Sequence, residues 1–446
     1  MKSEIFTFKH KDNGIQRVQR VSLDSWTSIN FLNPKPSAHA FAKLCELYGN
    51  YIVIKYAKLF GRVVLFRLPD DVAVPCPMKD DEYGTVTDRL TCAAILLKRG
   101  IKDKDGEVAF LNDEAERIYK ELERKGDLFS VKGERKYTSI LPVADSSGFL
   151  TESEKDAKVK ANTSFFVMDP TDCATIYDAV GTPLGLCVKD EKIISPPLFG
   201  REALLVDETG NVVIRKVMLE EISVVIDETA YVHGANAVLC DRPKWRRSPK
   251  GGTDIIIRDN RIIAWRDGGS SLIPSGGFVV HINHIINHGK CNEVSYGKMK
   301  GVSFGIQVGN SVIVNGQKTK GFISPFFSLR RLKDPVYPPT LYRLNGKKYR
   351  APRMVLGSDE ERNPVLVWLE GAGKFGYVAG RDSTGATLEE TADICEKLGI
   401  RNGIHLDGGG SAQIIIEGNR ALCLSDRDPE YLEEQERAIA RGLFVL

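Results

Sequence analysis

The residues best suited to chemistry stand near the C-terminus, in Gly403-Ile-His-Leu-Asp-Gly-Gly-Gly-Ser-Ala-Gln-Ile-Ile-Ile-Glu-Gly418. One acid, Asp407, is followed by Gly408, Gly409, Gly410 and Ser411, between the apolar runs Ile404–Leu406 and Ile414–Ile416. Short β-branched runs bounded by glycine read as buried strands. Consecutive glycines cost backbone entropy, so stability alone gives little reason to keep them. They allow close approach and positive φ, which turn N–H groups toward an anion or a sugar. An acid where one strand stops and a hydroxyl where the next begins therefore read as a ligand site. Gln413 stands where G-x-S-x-G and G-x-G-x-x-G both need glycine, which rejects a serine-nucleophile elbow and a dinucleotide loop.

The neighbouring segments must position that bend. Thr387 as N-cap with Glu390 three residues on forms a capping box, and Leu388, Ala392, Cys395 and Leu398 give the following helix one apolar face, closed at Gly399. Pro364–Leu369 reads as a strand running into Glu370-Gly371. The order strand, glycine-rich loop, helix, strand, bend, strand is compact enough to bring Glu370 near Asp407. His405 is expected on the opposite face of its strand, in a structural role.

A chain of 446 residues exceeds one ordinary core, so two or three domains are expected. Its 62 basic and 59 acidic residues nearly balance, which argues against a nucleic-acid partner. No apolar stretch reaches transmembrane length, the N-terminus lacks the apolar centre of a signal peptide, and the nine cysteines show no C-x-x-C. A soluble cytoplasmic protein is the expectation, or a secreted one if a leader has been removed. Residues 1–150 read as an N-terminal α/β accessory region, with strands at Tyr51–Tyr56 and Arg62–Arg67, a helix over Glu107–Lys125, and a boundary at Asp145–Gly148. From Ala161 onward, short strands between regular turns predict an α+β domain over 151–446, a large mixed or antiparallel sheet system with few flanking helices.

His281, His284 and His288 would share one face of a helix, near Cys291 as a fourth ligand. They are weak candidates for Zn²⁺, against the simpler reading of an amphipathic helix with a polar histidine face. Whether a divalent cation, Ca²⁺ or Zn²⁺, takes part is left open.

Several pieces recur in a familiar order: Asn162-Thr-Ser-Phe-Phe166, Gly181-Thr-Pro-Leu-Gly185, Ile273-Pro-Ser-Gly-Gly-Phe-Val279, Asn315-Gly-Gln-Lys318, Pro352-Arg353 with Gly357, Glu370-Gly371, Leu406-Asp-Gly-Gly-Gly-Ser411, and Glu436-Arg437. In this the chain resembles the phosphodiester glycosidase family over about residues 155–446. Thr163 and Ser164 stand where relatives commonly carry glycine, and Glu370 where they usually carry Asp. The resemblance implies hydrolysis of a sugar-1-phosphodiester, or a related glycosidic bond, to a free sugar and a phosphomonoester. It implies Asp407 and Glu370 as carboxylates, one a base or nucleophile and the other an acid or sugar ligand. Arg353 and Arg437 would clamp phosphate, completed by the Gly408–Gly410 amides and Ser411. Asn162 would hydrogen-bond the sugar, with Phe165 or Phe166 as a platform.

Each residue has a structural alternative: Asp407 as an Asx cap, the arginines in ion pairs, Glu370 at a solvated strand end, and the phenylalanines in the core. Two other functions compete with hydrolysis, a non-catalytic module binding glycans or sugar phosphates and a metal-assisted phosphodiesterase. Oligomeric state is not legible here.

Overall fold

The computed structural model describes residues 1–10, 14–34, 148–167, 177–178, 181–289, 291, 293–319, 350–371, 382–427 and 433–446. The expected strands at 51–56 and 62–67 and the helix at 107–125 lie outside them. Among the described residues, strands account for 47% and helical residues for 7%. The fold is thus predominantly β, with one α-helix among the described residues where an α+β fold with a few flanking helices was expected.

The central sheet has seven antiparallel strands in the order Lys2–Lys9, Ile15–Ser22, Pro364–Leu369, Arg353–Ser358, Asn402–His405, Ser311–Val314 and Gln317–Lys318. Its middle strands are covered on both faces. Val355, Val365 and Val367 meet Leu388, Ala392 and Cys395 of the helix Leu388–Lys397. Met354, Leu356, Leu366 and Trp368 enter the main core on the other side. Burial on both faces is why these strands are almost continuously apolar rather than alternating.

A second antiparallel sheet runs Ile414–Ile416, Val159–Asn162, Gly442–Val445 and Ile29–Leu32. The strands Lys2–Lys9, Ile15–Ser22 and Ile29–Leu32 therefore belong to the same sheets as the C-terminal strands. The antiparallel pair Lys2–Lys9 and Ile15–Ser22 completes the edge of the central sheet beside Pro364–Leu369.

The histidine segment also differs from expectation. Gly277–Ile282 is a strand between Val238–Cys240 and Lys250–Arg258, and an irregular segment follows it. The run Phe278-Val279-Val280 favours extended backbone, which outweighs the helical spacing of the imidazoles.

Candidate active site

The bend Asp407–Ser411 carries the chain from the central sheet, at His405, into the second sheet, at Ile414. Gly409–Ser411 forms a single 3-10 turn, and Gly409 has φ +59°, a conformation that favours glycine. The Gly409 amide donates to Pro352 O (3.0 Å), that of Ser411 to Gly408 O (3.2 Å) and that of Ala412 to Gly409 O (3.1 Å). Most of the bend's donors are therefore spent on the bend itself and on Pro352.

Asn162, at the end of its strand, staples the two sides of the bend. Its Nδ2 donates to Asp407 O (2.7 Å) and its Oδ1 accepts from the Gln413 amide (3.0 Å). The Asp407 amide in turn donates to Thr163 O at 2.7 Å. The side-chain polar atoms of Asn162 thus both engage the bend's own backbone.

Asp407 is 2% exposed, and its Oδ2 makes no hydrogen bond among the described residues. Burial raises its carboxyl to about 7, against the opposing effects of the Ser411 hydroxyl, the Arg437 charge and the Gly408 amide, while Asp426 raises it further. Ser411 Oγ lies near enough to favour the anion. It has no partner at hydrogen-bond geometry and is also buried. A buried carboxyl poised near neutrality with a free oxygen can take or hold a proton at physiological pH.

The two arginines flank the bend differently. Arg437 forms a two-pronged pair with Asp426, Nε to Oδ2 at 2.7 Å and Nη2 to Oδ1 at 2.9 Å. That pair lies directly on Gly410: a Cβ there would come within 2.2 Å of Asp426 Oδ1 and 2.3 Å of Arg437 Nη2. Arg353 is fully buried at the start of its strand, with Nε donating to Ala386 O at 2.9 Å. Burial pulls its guanidinium down to about 10. Its neighbour Pro352 is the residue that accepts from Gly409.

Glu370 is placed elsewhere. Its carboxylate accepts from Arg17 Nε (2.6 Å) and Nη2 (2.8 Å), from the Cys423 amide (2.9 Å) and from Ser383 Oγ. Leu369 pairs with Arg353, and His405 with Val355. Extending those registers sets Glu370 and Asp407 two strands apart, about 10 Å. The carboxylate whose charge acts on Asp407 is Asp426, which sequence order does not single out; its only local signal is a charged, turn-forming Ser-Asp-Arg-Asp-Pro stretch.

Phe166 is buried and pairs with Pro183, so it belongs to the core. The ring beside the bend is Phe165, 6.0 Å from the His405 ring and 5.9 Å below the Arg201 guanidinium. His405 ends the strand Asn402–His405 and is fully buried. Its Nε2 lies 3.6 Å from where a Cβ on Gly408 would be. Burial, then the Arg353 charge, hold it well below the usual histidine value, so the ring is neutral.

The three candidate metal histidines do not converge. His281 Nδ1 pairs with buried Asp254 Oδ1 (2.8 Å), His284 is exposed beside Asn283, and His288 meets Asp267 over the Trp265 ring. Among the described residues no group of three or more His, Cys, Asp or Glu side chains is arranged to hold a metal ion. No described helix is long and apolar enough to cross a membrane.

Residues 244–446 match the model of the phosphodiester glycosidase family. No curated protein matches the chain. Among solved structures, a hypothetical protein from Synechocystis is 15% identical, with 99% of this chain and 61% of that one covered and a TM-score of 0.41. This chain therefore spans less than two thirds of that relative. The zebrafish N-acetylglucosamine-1-phosphodiester alpha-N-acetylglucosaminidase catalytic domain, auto-inhibited by its pro-peptide, is 11% identical, covering 100% and 82% at a TM-score of 0.39. A protein from Burkholderia pseudomallei K96243 is 13% identical, covering 100% and 96% at 0.40. At TM-scores this low, none of the three bears on the chemistry of the site.

Proposed function

From the match of residues 244–446 to the phosphodiester glycosidase family, we propose that this protein is a glycoside hydrolase. It cleaves a sugar-1-phosphodiester, or a related glycosidic bond, to a free sugar and a phosphomonoester. The observation that carries the reading is the Asp407 carboxyl, buried in a triple-glycine bend, balanced near neutrality and with one oxygen unengaged.

In this reading Asp407 is the general base. Water adds to the anomeric carbon and gives one proton to Asp407 Oδ2. The bond from that carbon to the phosphate oxygen breaks, and the phosphomonoester leaves with the bonding pair. A phosphate is stable as an anion, so its departure makes little demand on an acid. Arg437 holds the phosphate oxygens by exchanging Asp426 for them, since a guanidinium takes carboxylate and phosphate in the same forked geometry. Arg353 contributes positive charge from beneath the bend. Glu370 acts as a positioning residue, tying the N-terminal hairpin at Arg17 to the segment carrying Cys423. Asn162 holds the bend in shape.

Hydrolysis of a sugar-1-phosphodiester in ¹⁸O-labelled water tests the bond broken. Label in the sugar is expected. Label in the phosphate means P–O cleavage, and no turnover on any such ester favours a binding module. Asp407→Asn should abolish turnover with substrate binding largely retained.

A further inference from the structure

The Asp426–Arg437 pair differs from its neighbours Arg17–Glu370 and Arg427–Asp382 in lying open to solvent. Glu370 and Asp382 are each 2% exposed at the side chain, whereas Asp426 is 32% and Arg437 25% exposed. The two bonds of the fork, at 2.7 and 2.9 Å, are good in geometry. A fork that water reaches still costs little to open, because both head groups regain hydration. An external anion can therefore exchange with the carboxylate.

The backbone under the pair is held independently of it. The Gln435 amide donates to Asp426 O (2.8 Å), the Leu424 amide to Glu434 Oε2 (2.8 Å), and Arg427 is forked onto buried Asp382 at 3.0 and 2.8 Å. Opening the pair thus takes rotation of a side chain and no movement of the chain. The place that the carboxylate vacates lies against Gly410, where a Cβ would come within 2.2 Å of Asp426 Oδ1 and 2.3 Å of Arg437 Nη2. An anion entering there fills space that the carboxylate already occupies, at the solvent edge of the bend.

Once displaced, Asp426 remains on that backbone beside the newcomer. The pair and the bend share one electrostatic environment, since Arg437 lowers the Asp407 carboxyl and Asp426 raises it. Repulsion from the displaced carboxylate grows with the charge of the anion. At about 6 Å, with an effective dielectric between those of a protein surface and water, it costs about 10-fold in affinity per unit of anion charge. A phosphodiester carries one negative charge. A phosphomonoester carries two once its second proton has left, at about pH 6.

We propose that Asp426 is a specificity-determining residue: it yields Arg437 to a singly charged phosphodiester and, displaced beside it, rejects the doubly charged phosphomonoester that hydrolysis leaves. The inference rests on reading Arg437 as the residue that holds the phosphate. A guanidinium alone favours the dianion, so the product would outlast the substrate on it. Return of the Asp426 carboxylate to the fork reverses that order and clears the site.

The test is calorimetric binding at pH 8 of dimethyl phosphate, which keeps one charge, and methyl phosphate, which there carries two. Wild type is compared with Asp426→Asn and Arg437→Gln. Asp407, at about 7 in wild type and lower without the Asp426 charge, is ionised at this pH in wild type and in Asp426→Asn. Wild type should bind dimethyl phosphate at least as well as methyl phosphate. In Asp426→Asn the first should tighten about 10-fold and the second about 100-fold, which inverts the preference. Arg437→Gln should weaken both about 10-fold or more. Should Asp426→Asn not fold, Asp426→Ser carries the same expectation.

An Asp426 that merely aims Arg437 gives the opposite sign, with both probes weaker in Asp426→Asn. That result, equal gains for the two probes, or no binding of either at tens of millimolar overturns the proposal. Neither probe contains a sugar, so the hydrolase reading fails separately. Charge discrimination with no turnover of any sugar-1-phosphodiester keeps this inference and loses that one. Turnover by wild type with both probes weakened in Asp426→Asn does the reverse.

Discussion

Asp407→Asn should make the protein more resistant to unfolding in mildly alkaline solution while removing its activity. The carboxyl has a usual value of 3.8 and is raised to about 7 in the fold by burial. Because the folded value lies above the unfolded one, the group favours folding fully below about pH 4. That contribution is lost progressively as pH rises to about 7, and the loss is constant above it. At pH 5 the unfolded chain has released most of this proton and the folded chain has not, at a cost of about 2 kcal/mol. By pH 8 both have released it, and the folded anion lacks about 4 kcal/mol relative to its unfolded counterpart. Asparagine has the same shape and does not titrate. The stability gap in its favour should therefore widen by about 2–3 kcal/mol between pH 5 and pH 8. With an unfolding entropy of about 2.1 cal/mol/K per residue, that is about 3 °C in Tm for a chain of this length. Scanning calorimetry of both proteins at the two pH values measures it. Other titrating groups, such as buried Asp241, also raised to about 7, cancel in the comparison. A gap equal at both pH values, or one that closes at pH 8, would mean that Arg437, Ser411 and the Gly408 amide stabilise the carboxylate more than burial penalises it. The base assignment would then lose its physical footing.

Asn162→Ala removes two buried bonds to the bend's backbone, and should cost about 2–3 kcal/mol in a urea unfolding curve and lower kcat far more than it raises KM. Arg17→Met leaves Glu370 buried with only Ser383 and the Cys423 amide, a loss of about 3 kcal/mol visible as an earlier denaturation midpoint. Gly410→Ala pushes apart the Arg437–Asp426 pair, whose head groups can yield, so stability should change by about 1 kcal/mol or less while phosphate affinity falls measurably in a titration. Thr387→Ala opens the capping box of the helix Leu388–Lys397, and should lower stability by about 1 kcal/mol with kcat unchanged.

The elements legible in the sequence are those whose cause is local. Thr387 and Glu390 cap a helix because their side chains reach amides three residues away, and both bonds are present. The glycine bend between Ile404 and Ile414 was legible because apolar β-branched runs and glycines set backbone conformation over a few residues. Where two local signals compete, reading fails. The spacing of His281, His284 and His288 suits a helix, yet the β-branched run beside it and two waiting sheet neighbours decide for a strand.

The ionic partners were not legible at all. Glu370 meets an arginine 353 positions earlier, Arg437 takes Asp426 rather than a site of its own, and Asn162 crosses 245 positions to the Asp407 carbonyl. Nothing in periodicity or composition records which charge will lie beside which when distant strands pair. The sequence alone therefore settled that an acid would sit in a glycine bend between strands. Only the tertiary structure decided that this acid would be buried with a free oxygen, near a carboxylate-paired arginine, because burial and pairing are properties of the packed chain.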